Sequence, residues 1–134
     1  MKKYLLLFCL LLFAVVSVPA QPRGHFNPER FEADLERHVI SAAQLTERES
    51  AQFLPVYREM RKKQVSLMGR RRQLRNNKNA ADVIRQQDQI DLKLKKLQQQ
   101  YHERFLRILP AEKVLKVISA EDQFHRQAFK KRHP

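Results

Sequence analysis

The 134-residue chain predicts an all-α protein, on three observations. Glycine occurs only at Gly24 and Gly69. No run of β-branched residues alternates with polar ones for long enough to make a strand, whereas apolar residues recur at steps of three and four. Helix-start signals precede the apolar stripes.

The opening twenty residues, MKKYLLLFCLLLFAVVSVPA, join two lysines to an apolar run from Tyr4 to Val18, with Val18 and Ala20 at the spacing of a cleavage site. They read as a secretory signal peptide, residues 1–20, cut near Ala20, because the run is shorter than the roughly 20 residues that span a bilayer. This predicts an exported, periplasmic protein beginning at Gln21. Cys9, the only cysteine, lies inside the run, so the mature chain forms no internal disulfide. An exported chain without disulfides must be held by packing, which favours helices with their local hydrogen bonds.

Residues 21–27 read as a flexible tail. The first helix of a single domain, 28–130, is announced by Asn27 as N-cap and Pro28 at the first helical position, with Glu29 and Glu32 near the positive end of the dipole. Phe31, Leu35 and Val39 give it one apolar face to about Ser41. Thr46 and Glu49 form a T-x-x-E capping box, so a second helix begins at Glu47. Its stripe is Phe53, Tyr57, Met60, Leu67 and Leu74, with Gln64 and Arg71 on the same line. After a polar link, Asn76 to Asn79, a third helix runs from about Ala80 to Ile108 with Val83, Ile90, Leu94, Leu97, Tyr101, Phe105 and Ile108 facing one way. Two helices of equal length and a short link predict a long antiparallel hairpin with short flanking helices.

Pro110 breaks the chain and can serve as the first residue of a fourth helix with Val114, Val117, Ile118, Phe124 and Phe129 as apolar positions. Residues 131–134 read as a basic tail. Pro55 sits inside the second helix, where it removes the amide that would bond to the Ala51 carbonyl, at about 3 kcal/mol unless the helix bends. Two arrangements accommodate it: a bowed hairpin helped by dimerisation, or an ordinary four-helix bundle that absorbs the bend.

The net charge is +13, and without Lys2 and Lys3 the 25 remaining basic residues stand against 14 acidic ones, a net +11. Charge of this size speaks of partners. Export argues against nucleic acid and leaves unfolded polypeptides, anionic lipid or lipopolysaccharide, or an acidic sensor domain. From Arg58 to Lys78 there are nine basic residues and one acid, while Gln21 to Tyr57 is slightly acidic.

Leu45-Thr46-Glu47-Arg48-Glu49, followed by Phe53-Leu54-Pro55-Val56-Tyr57, resembles the L-T-x-x-Q motif of the Spy and CpxP family of periplasmic helical proteins, with glutamate in place of glutamine. Leu109-Pro110-Ala111-Glu112-Lys113 resembles a degenerate second copy that lacks the threonine and the glutamine. The resemblance covers roughly Phe31 to Phe129. It implies a cradle-shaped antiparallel dimer whose concave face is basic and apolar, and a function as an ATP-independent chaperone. Long Arg and Lys side chains suit attraction to unfolded chains, and scattered apolar groups suit weak contact. The candidates are Arg61, Arg71, Arg72 and Arg75 with Leu54, Val65, Leu92 and Leu106, which lie off the packing stripes.

The alternative is a CpxP-like regulator that docks on a sensor domain and reports envelope stress or heavy metal. A polycationic binder of lipopolysaccharide or anionic lipid is a third reading, against which the helices lack the one-sided aromatic and basic pattern of a membrane-surface helix. His25, His38, His102, His125 and His133 show no i, i+3 or i+4 pairing, so no metal site is expected unless helices bring them together. No histidine has an obvious nucleophile or carboxylate partner at local spacing, which leaves only convergence of residues distant in sequence, and the glycines are too few for a phosphate-cradling loop, so neither catalysis nor a cofactor is expected.

Overall fold

A computed structural model describes residues 25–133, and all of its regular structure is helical. The expected signal peptide, residues 21–24 of the expected tail and Pro134 lie outside the described residues. Helix α1 is Pro28–Ala42, α2 is Glu47–Gln73, α3 is Ala80–Ile108 and α4 is Ala111–Arg132, with a 3-10 turn at Leu74–Asn76 after α2.

Local chemistry sets these limits. Asn27 Oδ1 accepts from the Arg30 amide at 3.1 Å and Asn79 Oδ1 from the Asp82 amide at 3.1 Å, each satisfying a donor that the first turn leaves free. The turn between α1 and α2 is a Schellman motif. The Leu45 amide bonds back to the Ile40 carbonyl at 3.1 Å and the Gln44 amide to the Ser41 carbonyl at 3.1 Å. Gln44 takes the left-handed conformation this requires, at φ 51°, where glycine is the unstrained choice. Thr46 then caps α2 with both halves of the capping box formed.

Two expectations about the chain end are corrected. Pro110 precedes α4 rather than opening it, because its ψ of 142° is extended and the first helical residue is Ala111. The basic tail begins as helix, since α4 continues through Lys131 to Arg132.

The core lies where all four helices meet. Leu35, Val39 and Ala43 from α1 and its C-cap pack with Phe53, Tyr57 and Met60 of α2, Tyr101, Phe105 and Leu109 from the end of α3, and Val114, Val117 and Ala120 of α4. Phe53 lies 5.1 Å from the Tyr57 ring and 4.9 Å from that of Phe105, within the range where aromatic rings attract. Helix α1 packs on α4, with the Phe31 and Phe124 rings edge to face at 5.2 Å. Phe129 is not a core position: it stands 65% exposed.

Helices α2 and α3 remain in contact well beyond this core. Glu59 pairs with Arg104 at 3.2 Å and Arg71 with Asp91 at 2.5 Å, so position rises along one helix as it falls along the other. Past Gln64 the contact is thin: Leu74 and Ile90 are the buried hydrophobic residues there, and Leu67, Leu94 and Leu97 are half-buried. The outer halves of α2 and α3 therefore form an arm with little interior. Pro55 sits within α2, whose helix continues on both sides of it.

Candidate functional site

The two motif segments come together. Leu45 packs against the core that contains Leu109, and Lys113 Nζ donates to Glu49 Oε1 at 2.5 Å and to the Gln44 carbonyl at 3.0 Å. Within L-T-x-x-E, Leu45 thus closes α1, Thr46 starts α2, and Glu49 completes the cap and ties α2 to α4. Its hydrogen bond with Lys113, then that from the Thr46 backbone, hold the Glu49 carboxyl below its ordinary range. The motif is a structural joint. Of its five residues, Leu45 and Glu49 are half-buried in that joint, and Thr46, Glu47 and Arg48 are exposed.

Two of the eight candidate contact residues are corrected. Arg61 is buried at 6% exposure, its guanidinium forked onto Glu32 of α1 at 2.9 and 2.6 Å, with a third bond to Gln64 Oε1 at 3.0 Å. It belongs to the packing of α1 on α2, because a buried guanidinium needs its donors satisfied and Glu32 satisfies two of them. Leu54 is half-buried and packs against the core, since the stripe on α2 is wide enough to include it.

The other six are exposed. Arg71, Arg72 and Val65 lie on the outer part of α2 and Arg75 in the 3-10 turn after it, and Leu92 lies opposite on α3 beside Asp91, the partner of Arg71. Leu92 is 66% exposed. Leu106 is exposed too, but near the core end of α3, next to buried Phe105. Five of the candidates therefore share the arm.

Sequence reasoning missed a shallow groove of about 370 Å³ on the arm, floored by Leu67 and Leu97 and edged by Lys63, Lys93 and Lys96. The lysines at i, i+3 on α3 were its only legible signal. It also missed the polar cluster under α4. Glu121, 7% exposed, lines a groove of about 380 Å³ with Arg61, Gln64, Met68 and His125. Burial pushes the Glu121 carboxyl up to about 7 against the partial pull of Arg61. Burial and then Arg61 push the His125 imidazole down. Among the described residues, no three histidine, aspartate or glutamate side chains converge in a way that could hold a metal ion.

Comparison of the chain with protein-family profiles, with curated proteins and with solved structures gives no match. The arm's own chemistry is therefore the guide to its use. Exposed aliphatic side chains set among flexible cations can hold an extended polypeptide weakly, with apolar groups meeting apolar groups and cations meeting acids and carbonyls.

Proposed function

We propose that the chain from Gln21 is an exported chaperone that holds unfolded or aggregation-prone polypeptides on the arm of α2 and α3 and needs no nucleotide. The observation that carries this reading is the arm itself. It extends past the core, its aliphatic residues Val65, Ile84 and Leu92 stand in solvent, and cations surround them. The resemblance of Leu45–Glu49 and of Leu109–Lys113 to the Spy and CpxP motifs supports the same reading. In it, α2 and α3 form a hairpin bowed at Pro55, and two copies form a cradle around the client. Sedimentation of the chain from Gln21 at rising concentration tests the dimer.

Aggregation protection of an unrelated unfolded protein, measured without ATP over a salt series, tests the function. Because Arg61 is a core residue, the discriminating variant reverses only Arg71→Glu, Arg72→Glu and Arg75→Glu. Protection is expected to fall at least severalfold while helical circular dichroism is retained. Full protection by that folded variant rejects the charged arm as the contact surface. Failure of the unmodified chain at every salt concentration would instead favour the regulator that docks on a sensor domain.

A further inference from the structure

Where α1 begins and α4 ends, away from the motif joint, the composition is different. There the start of α1 lies beside the last turns of α4: Phe31 meets Phe124, and the Arg132 guanidinium lies 4.4 Å from the centre of the Phe26 ring. From Gln123 to His133 the chain holds Arg126, Lys130, Lys131 and Arg132 and no acid. All four are exposed, and no ion pair among the described residues involves them. Arg30 of α1 adds a fifth exposed cation. Between the two helices runs a groove of about 500 Å³ with Phe26, Phe31 and Phe124 in its lining and Arg30 and Lys131 along it. Asp34 also lines it, with its charge matched by Arg37.

Two phenyl rings are left in solvent at this tip, Phe26 at 52% and Phe129 at 65% exposure. Cations in the last turn of α4 suit the negative end of its dipole, which explains one or two of them. It does not explain exposed rings beside them. Burying those rings while keeping five cations solvated and near negative charge requires a boundary that is apolar below and anionic above. The headgroup layer of an acidic bilayer meets that description. An acidic protein surface would match the cations alone.

We propose that this tip, built from Phe26 and Arg30 at one end of the fold and Phe129 to Arg132 at the other, docks the protein on an anionic lipid bilayer. The rings enter the headgroup layer shallowly, and the guanidinium and ammonium groups take the lipid phosphates. Arg132, held against Phe26, puts a phosphate-binding fork beside an inserted ring. The arm of α2 and α3 stays free for other partners.

Vesicle flotation with the chain from Gln21, which contains the whole core, tests this without the apolar run 4–18, which would partition by itself. Binding is expected to phosphatidylcholine vesicles that contain phosphatidylglycerol, to weaken with salt, and to be absent from pure phosphatidylcholine. The triple variant Lys130→Gln, Lys131→Gln, Arg132→Gln should lose about tenfold or more in affinity. A variant with equal charge loss on the arm, Lys62→Gln, Arg70→Gln, Arg85→Gln, should lose much less. Phe129→Ser, at a position too exposed to disturb the core, should weaken binding with the salt dependence unchanged. No binding to the anionic vesicles, or equal losses in the two triple variants, overturns the proposal. Unchanged binding of Phe129→Ser removes the inserted ring from it.

Discussion

At the scale of single residues, Glu121 is the most unusual group in the fold. It is buried beneath α4 with Arg61 nearby, but Arg61 gives its hydrogen bonds to Glu32 and Gln64 instead. Unfolded, the carboxyl titrates near its ordinary 4.5; folded, burial raises this to about 7, with Asp122 and Glu32 adding to the rise and Arg61 opposing it. Below about pH 4.5 both states hold the proton and the group has no effect on stability. Between 4.5 and 7 the unfolded chain has released a proton that the folded chain keeps, so stability falls as pH rises, and the full penalty is present above about 7. Glu121→Gln is therefore expected to stabilise the protein by up to about 3 kcal/mol at pH 8, with the gain vanishing near pH 4.5. Denaturation in urea at the two pH values measures this. A pH-independent effect would mean that the carboxyl is solvated in the folded state.

At the scale of elements, the joint between α1 and α2 gives Leu45, Thr46 and Glu49 each a structural task. Helix α1 ends by hydrogen bonds from Gln44 and Leu45, and α2 begins one residue later at the Thr46 cap. Only Gln44, at φ 51°, conflicts with its conformation. Gln44→Gly should raise stability by about 1 kcal/mol, since it relieves the left-handed strain while both backbone bonds persist. Thermal melts of the two chains read the difference, and a lower melting temperature for the glycine variant would show that the Gln44 side chain contributes more than the strain costs. The helix limits at this joint and at Asn79 were legible in the sequence because a cap is closed within three residues of the chain. The start of α4 was less so, since proline serves equally well before a helix and at its first position.

Across the whole molecule, burial is distributed unevenly, and stability should follow it. Phe105 is fully buried among Phe53, Tyr57 and Tyr101 at the four-helix end, whereas Leu92 stands in solvent on the arm. Phe105→Ala should cost about 3–5 kcal/mol, a large part of the stability of an ordinary domain, while Leu92→Ala should stay within about 0.5 kcal/mol. Chemical denaturation of both variants checks this, and comparable losses would mean that the arm is covered in solution. Amide exchange should likewise be faster between Gln64 and Gln98 than in the core helices, because few buried contacts oppose opening there. The same unevenness suits the proposed client binding, since apolar side chains that no helix covers remain available.

The sequence by itself determined the helical class, the helix limits to within a residue or two, and the concentration of positive charge on the second helix, because each depends on contacts a few residues apart. The tertiary structure decided which charges are free. Arg61 and Arg71 lie on the same helix in the same basic run, but Glu32 takes Arg61 into the interior while Arg71 reaches only an exposed Asp91. Periodicity shows which way a side chain leaves its helix, not how far the neighbouring helix extends over it. For that reason the burial of Glu121, and the aromatic and basic tip made by chain ends about a hundred residues apart, became visible only once the helices were packed together.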